Sequence, residues 1–252
     1  MLEIRNISKS FDGVQAVQDV SLSVPSHQIT SIIGPNGAGK TTLFNILTGF
    51  LETDQGEALF RNESLLGAAP WRISRRGISR TFQNLRLFKK LTVLENVLLG
   101  IPAQSDEDLF HALLRFSGTS PEHLSNVRRA EELIEFSGLT SHRNELAENL
   151  SYGQQKLLSM ACCLAGNPDL LLLDEPVAGV QPATIEKIEE MIRTLVREEK
   201  KTVLLIEHDI EFVLRISDRV VVMDEGKKIA EDVPSSIGGN SEILEAYLTR
   251  HI

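Results

Sequence analysis

The chain has 252 residues, of which 42% are hydrophobic and 24% are charged, and its formal net charge is −9. A chain of this length can bury a full core and has the composition of a globular protein. Its acidic balance argues against a general nucleic-acid-binding surface. No apolar run approaches the ~20 residues of a membrane span, and the N-terminal residues lack the hydrophobic region of a secretory signal. We therefore expect a protein of the reducing cytosol.

In chain order, the apolar spacing predicts one α/β core interrupted by a helical region. Strands are predicted over residues 2–4, 17–24, 29–33, 57–61, 78–82, 170–173, 202–207, 219–223 and 227–231. Helices are predicted over residues 41–47, 105–116, 121–136, 154–165, 183–199 and 241–248. Thr92 and Glu95 form a capping-box pattern, and Gly138 is placed to end a helix. The adjacent Cys162 and Cys163, the only cysteines, are expected to be buried free thiols.

The segment after the strand 29–33 carries the strongest functional signal. It fits the phosphate-binding pattern G-x-x-x-x-G-K-[ST] and comprises Gly34, Pro35, Asn36, Gly37, Ala38, Gly39, Lys40, Thr41 and Thr42. Glycines let backbone N–H groups point at phosphate oxygens, and the following helix adds a partial positive charge. Lys40 supplies a charge near the β- and γ-phosphates, and the Thr41 hydroxyl can ligate Mg²⁺. The segment predicts a nucleoside triphosphate site; a plain glycine turn would not need both flanking elements.

Two acids follow the leucine run of residues 170–173. Four apolar residues without alternation suit a parallel strand that is buried on both faces, and the carboxyl ends of such strands are where open α/β sheets bind ligands. Asp174 is therefore a candidate to hold Mg²⁺ through water. Glu175 is a candidate general base for a water that attacks the γ-phosphate.

A further pattern, residues 150–155, lies between these two. Ser151 precedes a helical stretch and can act as its N-cap, and the Ser151 hydroxyl and the Gly153 N–H can form an anion site. Taken alone, this pattern is better explained as an ordinary capped helix. Together with the nucleotide motifs, the run Ser151, Tyr152, Gly153, Gln154 resembles the signature motif of ATP-binding cassette (ABC) ATPases, in which glycine usually stands in place of Tyr152.

The other elements of an ABC cassette follow in order. The resemblance implies that Phe11 stacks on adenine and that Gln83 is the Q-loop glutamine, which completes the Mg²⁺ shell. It also implies that His208 is the switch histidine and that Gln181, followed by proline, holds the D-loop position, where the family usually has aspartate. The relative contributions of Glu175 and His208 to the base role stay open.

The resemblance implies an α/β fold: a P-loop NTPase ABC cassette with a mixed-sheet RecA-like core, an antiparallel β subdomain and a helical signature subdomain. We expect a single domain over 1–252, with the catalytic core and β subdomain at 1–90 and 166–252 and the helical subdomain at 91–165. The signature of one cassette would reach the ATP held by the P-loop of another. Because the chain has one P-loop, the second cassette must come from another chain, as a homodimer or a heterodimer.

The segments 80–88 and 91–97, together with Tyr152 and the ending 245–248, are similar to ATP-binding subunits of branched-chain amino-acid importers. That implies two permease subunits, a solute-binding receptor as an indirect partner, no nucleic acid, and a peripheral position at the cytoplasmic face of the inner membrane. The helix 158–164 lacks the arginine usual in these subunits, so another solute (urea, an amide or a lipid) stays open. A soluble ABC ATPase of nucleic acid or ribosomes, or a P-loop kinase, is less consistent with these motifs.

Two surface features are expected near Gln83. Leu85, Leu87 and Phe88, rimmed by basic residues, are interpreted as an exposed partner interface for a permease helix. The alternative is that they pack inside the helical region. A preceding cluster of arginines is interpreted as a solvated helix face; it consists of Arg72, Arg75, Arg76 and Arg80.

Overall fold

A computed structural model describes residues 1–102 and 121–240. Its strands are β1 Leu2–Phe11, β2 Val14–Val24, β3 Ile29–Ile33, β4 Gln55–Phe60, β5 Glu63–Ser64, β6 Ile78–Arg80, β7 Leu170–Asp174, β8 Thr202–Ile206, β9 Arg219–Asp224 and β10 Lys227–Asp232. Its helices are α1 Lys40–Leu47, α2 Pro70–Arg75, α3 Val93–Gly100, α4 Pro121–Phe136, α5 Tyr152–Ala165, α6 Pro182–Arg197, α7 Ile210–Ile216 and α8 Pro234–Gly238. The helices predicted at 105–116 and 241–248 lie outside the described residues.

The larger sheet has the strand order β10-β9-β3-β8-β7-β6, with parallel pairing from β9 to β6 and β10 antiparallel at one edge. Every residue of β3, β7 and β8 is buried. Along β7, Leu171 and Leu173 pack with the helices on one face, while Leu170 and Leu172 join the core on the other. Burial on both faces explains the unbroken apolar runs in the sequence.

The smaller sheet, in the order β2-β1-β4-β5, is antiparallel. Its inner residues share a hydrophobic cluster with α1 and with one face of the parallel sheet. The prediction of a mixed core with an antiparallel sheet beside it is confirmed. β1 is longer than the predicted 2–4. The prediction ended too early because register shifts after Ile4 interrupt the alternation of residues by which a strand is recognised in a sequence.

The helical region packs α3, α4 and α5 against each other and against α6. The capping box is confirmed: Thr92 Oγ1 accepts the Glu95 N–H, and the Glu95 carboxylate accepts the Thr92 N–H. Asn96, buried at 3% exposure, accepts from the Phe88 N–H and donates to the Phe88, Leu91 and Thr92 carbonyls. This one amide therefore fixes the loop that leads into α3.

The helices α2, α7 and α8 and the two-residue strand β5 were not predicted from the sequence, and the bounds of several other elements differ slightly from the prediction. α1 begins at Lys40, one residue earlier than predicted, and α6 spans Pro182–Arg197 instead of 183–199. Both cysteines are free, as expected, but only Cys163 is buried and Cys162 is half-buried. The surrounding protein nevertheless removes both thiols from water, which raises the pKa of each to about 12. Among the helices of residues 1–102 and 121–240, none is both long and apolar enough to span a membrane.

Candidate nucleotide site

The predicted site residues meet at the carboxyl edge of the parallel sheet. The loop 34–39 follows β3, Glu175 follows β7, and His208 follows β8 after one residue. Gln83 lies just beyond β6, the neighbour of β7. Parallel pairing of these strands brings their ends to one edge, where α/β folds bind ligands.

Two glycines of the loop 34–39 are required by close contacts. A Cβ at Gly34 would collide with the Met223 carbonyl oxygen of β9, and a Cβ at Gly39 would collide with the Ala16 carbonyl oxygen of β2. Gly39 also has a φ of +93°, which disfavours other residues. The loop is thus wedged between the two sheets, which places the β1–β2 hairpin close to it.

Gly39 is the N-cap residue of α1, and no side chain accepts a capping hydrogen bond there. Uncapped N–H groups at a helix start are suited to phosphate oxygens. In the loop, Pro35 and Ala38 are buried while Asn36 and Gly37 are exposed; Thr41 is exposed and Thr42 is half-buried. The hydroxyl side chains of the helix start are therefore accessible to a ligand.

Lys40 is buried, with only 7% exposure. Its ammonium donates to the Gly34 carbonyl at 2.6 Å and to the Pro35 carbonyl at 2.9 Å. Burial lowers the pKa of Lys40, and the charges of Glu175 and Asp174 partly oppose that shift. The lysine therefore lies folded along its own loop within the field of the two acids.

Glu175 is the centre of a cluster with Gln83 and His208. The Gln83 Nε2 donates to Glu175 Oε2 at 2.8 Å, and His208 Nδ1 lies 3.6 Å from Glu175 Oε1. The Glu175 backbone is left-handed, with φ +49°, a strained conformation for a residue with a side chain. The structure thus brings together the three predicted catalytic residues: Glu175 and His208, which were assigned to the base role, and the Q-loop residue Gln83.

Asp174 forms a buried ion pair with Arg80. Arg80 NH2 donates to Asp174 Oδ2 at 2.8 Å, and the side chains are 5% and 2% exposed. Burial raises the pKa of Asp174, and Arg80 opposes that rise. The interpretation of Arg80 as part of a solvated helix face is therefore wrong. It lies on β6 opposite Leu172 of β7, and this pairing brings its side chain to Asp174 two residues further along, a neighbour that only the folded sheet supplies.

One oxygen of the acid is left for another partner. Asp174 Oδ1 is buried and has no hydrogen-bond partner in the structure. A buried carboxylate oxygen without a donor is costly unless a further group satisfies it. The residues predicted to hold the metal are Thr41, Gln83 and Asp174. They offer hydroxyl, carboxamide and carboxylate oxygens, which are the ligands that Mg²⁺ prefers. The residues present fit that ion.

Two site residues were missed in the sequence. Lys156 of α5 is 4% exposed, and its ammonium donates to the Glu175 carbonyl at 2.6 Å. Glu207 is fully buried; its carboxylate accepts the Val177 N–H at 2.9 Å and the His208 N–H at 3.1 Å. Burial raises the pKa of Glu207 and lowers that of Lys156. A signal existed for Glu207, since the acid ends an apolar run just as Asp174 does.

The predicted signature lies at the start of α5. Ser151 is its N-cap, and Ser151 and Gln154 form a capping box. Gln154 Nε2 also contacts His142 Nε2 at 2.9 Å. A Cβ at Gly153 would lie 3.0 Å from Thr184 Oγ1 of α6, so glycine allows the two helices to approach. Ser151 is exposed, which leaves its hydroxyl accessible.

The remaining predicted residues are at the surface around this edge. Phe11, 44% exposed, ends β1 with the Lys9 ammonium 5.6 Å from its ring. Tyr152 is 48% exposed and packs beside Gly179. Gln181 is the exposed N-cap residue of α6 and makes no capping bond. An exposed aromatic ring is available for stacking, and two exposed polar positions are available to a second molecule.

The chain matches a protein-family model described as ABC transporter, over residues 17–178. It is 40% identical to the high-affinity branched-chain amino acid transport ATP-binding protein LivG of Escherichia coli K12, over 98% of this chain and 97% of that protein. It is 38% identical to BraF of Pseudomonas aeruginosa, described in the same terms, again over 98% and 97%.

Solved structures agree. The chain is 35% identical to MJ1267, an ATP-binding cassette of an ABC transporter in its ADP conformation, with a TM-score of 0.85 and 98% of each chain covered. It is 28% identical to the ATP-binding cassette MJ0796, whose post-hydrolysis state is dimeric and bound to ADP and Pi, with a TM-score of 0.78 and 93% and 99% of the chains covered.

Lys40→Ala should weaken ATP binding by an order of magnitude or more, because charge-assisted hydrogen bonds are worth roughly 1.5–3 kcal/mol. The measurement is calorimetric titration with ATP. The control is Lys228→Ala, which removes an ion-paired lysine of β10 and should leave affinity unchanged. Equal affinities of Lys40→Ala and the parent would remove Lys40 from the phosphate site.

Glu175→Gln should keep the contact with Gln83 and remove the carboxylate. We expect ATP to bind as before and turnover to fall about 10²–10⁴-fold, the usual contribution of a general base. A dimer with trapped ATP should accumulate in size-exclusion chromatography with Mg²⁺ and ATP. Glu199→Gln, at an exposed acid beyond α6, is the control. Turnover at the parent rate would mean that another group is the base.

Proposed function

This chain belongs to the ABC transporter family and hydrolyses ATP to power transport, and we propose that it is the ATPase subunit of a branched-chain amino-acid importer. One observation carries the proposal: the loop 34–39, Gln83, Glu175 and His208 lie together at the carboxyl edge of the parallel sheet. The near full-length similarity to LivG and BraF supports the solute class. A kinase is not favoured, because it would need an acceptor site and would leave the signature, Gln83 and His208 without a role.

The site residues have separate tasks in hydrolysis. The loop 34–39 and Lys40 bind the phosphates, and the exposed ring of Phe11 stacks on adenine. Glu175 accepts a proton from the attacking water. The water oxygen bonds to the γ-phosphorus as the bond between that phosphorus and the β–γ bridging oxygen breaks, which gives ADP and phosphate. Gln83 holds one carboxylate oxygen of Glu175, and His208 faces the other. Positioning of this kind is the main protein contribution to phosphoryl transfer.

Mg²⁺ is the proposed metal. Thr41, Gln83 and, through water, Asp174 would hold it; its chemistry is to neutralise charge on the phosphates. Gln83 uses its amide N–H on Glu175, which leaves its carbonyl oxygen for the ion. Asp174 has the unpartnered oxygen described above. In the described part of the chain no three His, Cys, Asp or Glu side chains cluster as a metal site, so the phosphates and water would supply most ligands.

We propose a head-to-tail dimer in which Ser151, Tyr152, Gly153 and Gln154 of one chain face the ATP on the P-loop of the other. The capping box uses the Gln154 N–H and leaves the Ser151 hydroxyl proton and the Tyr152 and Gly153 N–H groups available to an anion. The exposure of Ser151 and Gln181 fits this arrangement, and a cassette similar to this one is dimeric with ADP and Pi. The partner is a second copy or a second ABC ATPase.

The proposed permease site is a groove of about 340 Å³ between the core and the helical region. Apolar and basic side chains line it from both sides, including Phe50, Phe82, Arg86, Leu87 and Cys162. Phe88 follows directly and is 60% exposed. Leu85 and Leu87 are half-buried, with Leu87 packed against the core, so the exposed part of the predicted cluster is Phe88. The groove would take a short cytoplasmic helix of a permease.

The proposed permease site implies which subunits form the transporter and where this chain lies relative to the membrane. Two permease subunits would carry the solute, a solute-binding receptor would act on the permeases, and this chain would lie peripherally at the cytoplasmic face of the cell membrane. No nucleic acid is involved in the proposed cycle. The decisive test is reconstitution with its permeases in vesicles and uptake of leucine, isoleucine or valine with ATP; uptake of urea instead would reassign the solute.

Phe88→Ala should abolish co-purification with the permeases and uptake, while basal ATPase and the melting temperature barely change. The reason is that an exposed side chain contributes little to the core. Leu124→Ala is the control, since Leu124 is equally exposed at 60% but lies on α4, whereas Phe88 directly follows the groove residue Leu87. A large drop in melting temperature, the roughly 3–5 kcal/mol of a core phenylalanine, with permease binding intact would contradict docking at Phe88.

A further inference from the structure

Arg80 is the most constrained side chain beside the nucleotide site. Its NH1 donates to Asn45 Oδ1 at 2.7 Å and to Thr48 Oγ1 at 3.2 Å, and its NH2 donates to Asp174 Oδ2 at 2.8 Å. The guanidinium carbon lies 5.4 Å from the Phe44 ring centroid and 4.9 Å from that of Phe82. The fork is thereby fixed in plane and direction by Asn45 of α1, by Thr48 directly after it, and by two aromatic rings.

This arrangement is poorly explained by stability alone. A buried ion pair often contributes less than apolar residues of the same volume, because both charges lose their hydration. Here two further atoms have no partner, Arg80 Nε and Asp174 Oδ1. Unsatisfied buried groups in a folded protein call for a functional explanation. The pair leaves one oxygen of the acid unpartnered while it fixes the other.

We propose that Arg80 is the positioning residue for Asp174. By holding Oδ2, it directs Oδ1 toward the water shell of the metal and prevents the carboxylate from rotating. Lysine could supply the charge, but a single ammonium cannot bind Asp174, Asn45 and Thr48 with the geometry of a planar fork. The inference rests on the magnesium site proposed above and adds a residue to it that touches neither nucleotide nor metal.

The test compares ATP binding with Mg²⁺ and with EDTA by calorimetric titration, which needs no turnover. The ratio of the two affinities is the magnesium-dependent gain. Partners in the outer shell of a metal typically change metal affinity by about 10–100-fold. We therefore expect Arg80→Met to reduce the gain at least about tenfold, with affinity in EDTA unchanged, and Arg80→Lys to give an intermediate gain.

Two further variants keep the test decisive. Asn45→Ala removes an anchor of the guanidinium without leaving Asp174 unpaired, and should lower the gain by a smaller factor even if Arg80→Met does not fold. Arg219→Met is the matched control. Arg219 is ion-paired with Glu231 at 2.7 Å. It starts β9, at the end of the strand away from the carboxyl ends that form the nucleotide site. The magnesium-dependent gain of this variant should therefore equal that of the parent.

The outcomes are separable. A reduced gain with normal affinity in EDTA, in each folded Arg80 variant and in Asn45→Ala, supports the assignment. A gain equal to that of the parent overturns it. An equal loss of affinity with and without Mg²⁺ also overturns it, since that is the result of a merely structural role. A parent that shows no magnesium-dependent gain would refute the proposed metal site itself.

Discussion

The site depends on a balance of buried charges. Three cations and three anions meet behind the nucleotide loop in the described part of the chain: Lys40, Arg80 and Lys156, and Asp174, Glu175 and Glu207. Each would be costly alone, because removing an ion from water costs several kcal/mol. Together they offset one another, as the opposing effects of burial and neighbouring charge on the pKa of Lys40 and Asp174 show. Loss of any one member leaves an unpaired buried charge, so the elements that supply them must fold together.

Local pattern was enough to predict most of the parts of this site. The loop 34–39, the acid pair after β7 and the histidine after β8 are each short runs whose chemistry is written in adjacent residues. The sequence could not supply the partners. Arg80 and Asp174 are 94 positions apart and meet only because β6 pairs with β7. Before that pairing is known, an arginine after other arginines is best interpreted as a surface residue.

The same reason explains the other omissions. Lys156 lies in an amphipathic helix, where a lysine usually marks the solvent face. Its ammonium nevertheless donates to the carbonyl of Glu175, which follows β7, a different element. The short helix α2 begins at a proline and has a single buried residue, Ile73, so it offers too little apolar periodicity to be recognised. The spacing of apolar residues along a chain does not predict which elements contact each other. It also does not reveal helices that are too short to show a hydrophobic periodicity.

The groove and the nucleotide site share side chains. Arg80 and Phe82 line the groove, the Arg86 guanidinium lies 3.7 Å from the Phe82 ring centroid, and the Phe50 ring meets Phe82 edge-on at 5.6 Å. A stack of alternating aromatic rings and guanidinium groups thus runs from the groove to the ion pair with Asp174. Only the Arg80 end of this stack is buried, since Phe50 and Arg86 are exposed.

The backbone of Glu175 joins the helical region to the chemistry. Its left-handed conformation persists only if its surroundings hold it. The Glu175 N–H donates to the Ile206 carbonyl of β8, and the Glu175 carbonyl accepts from the Lys156 ammonium of α5, the helix that begins with the proposed signature. The carboxylate at the sheet edge is therefore oriented partly by a helix outside the sheet. Any motion of α5 relative to β7 must either carry the Glu175 carbonyl with it or release the strain stored there.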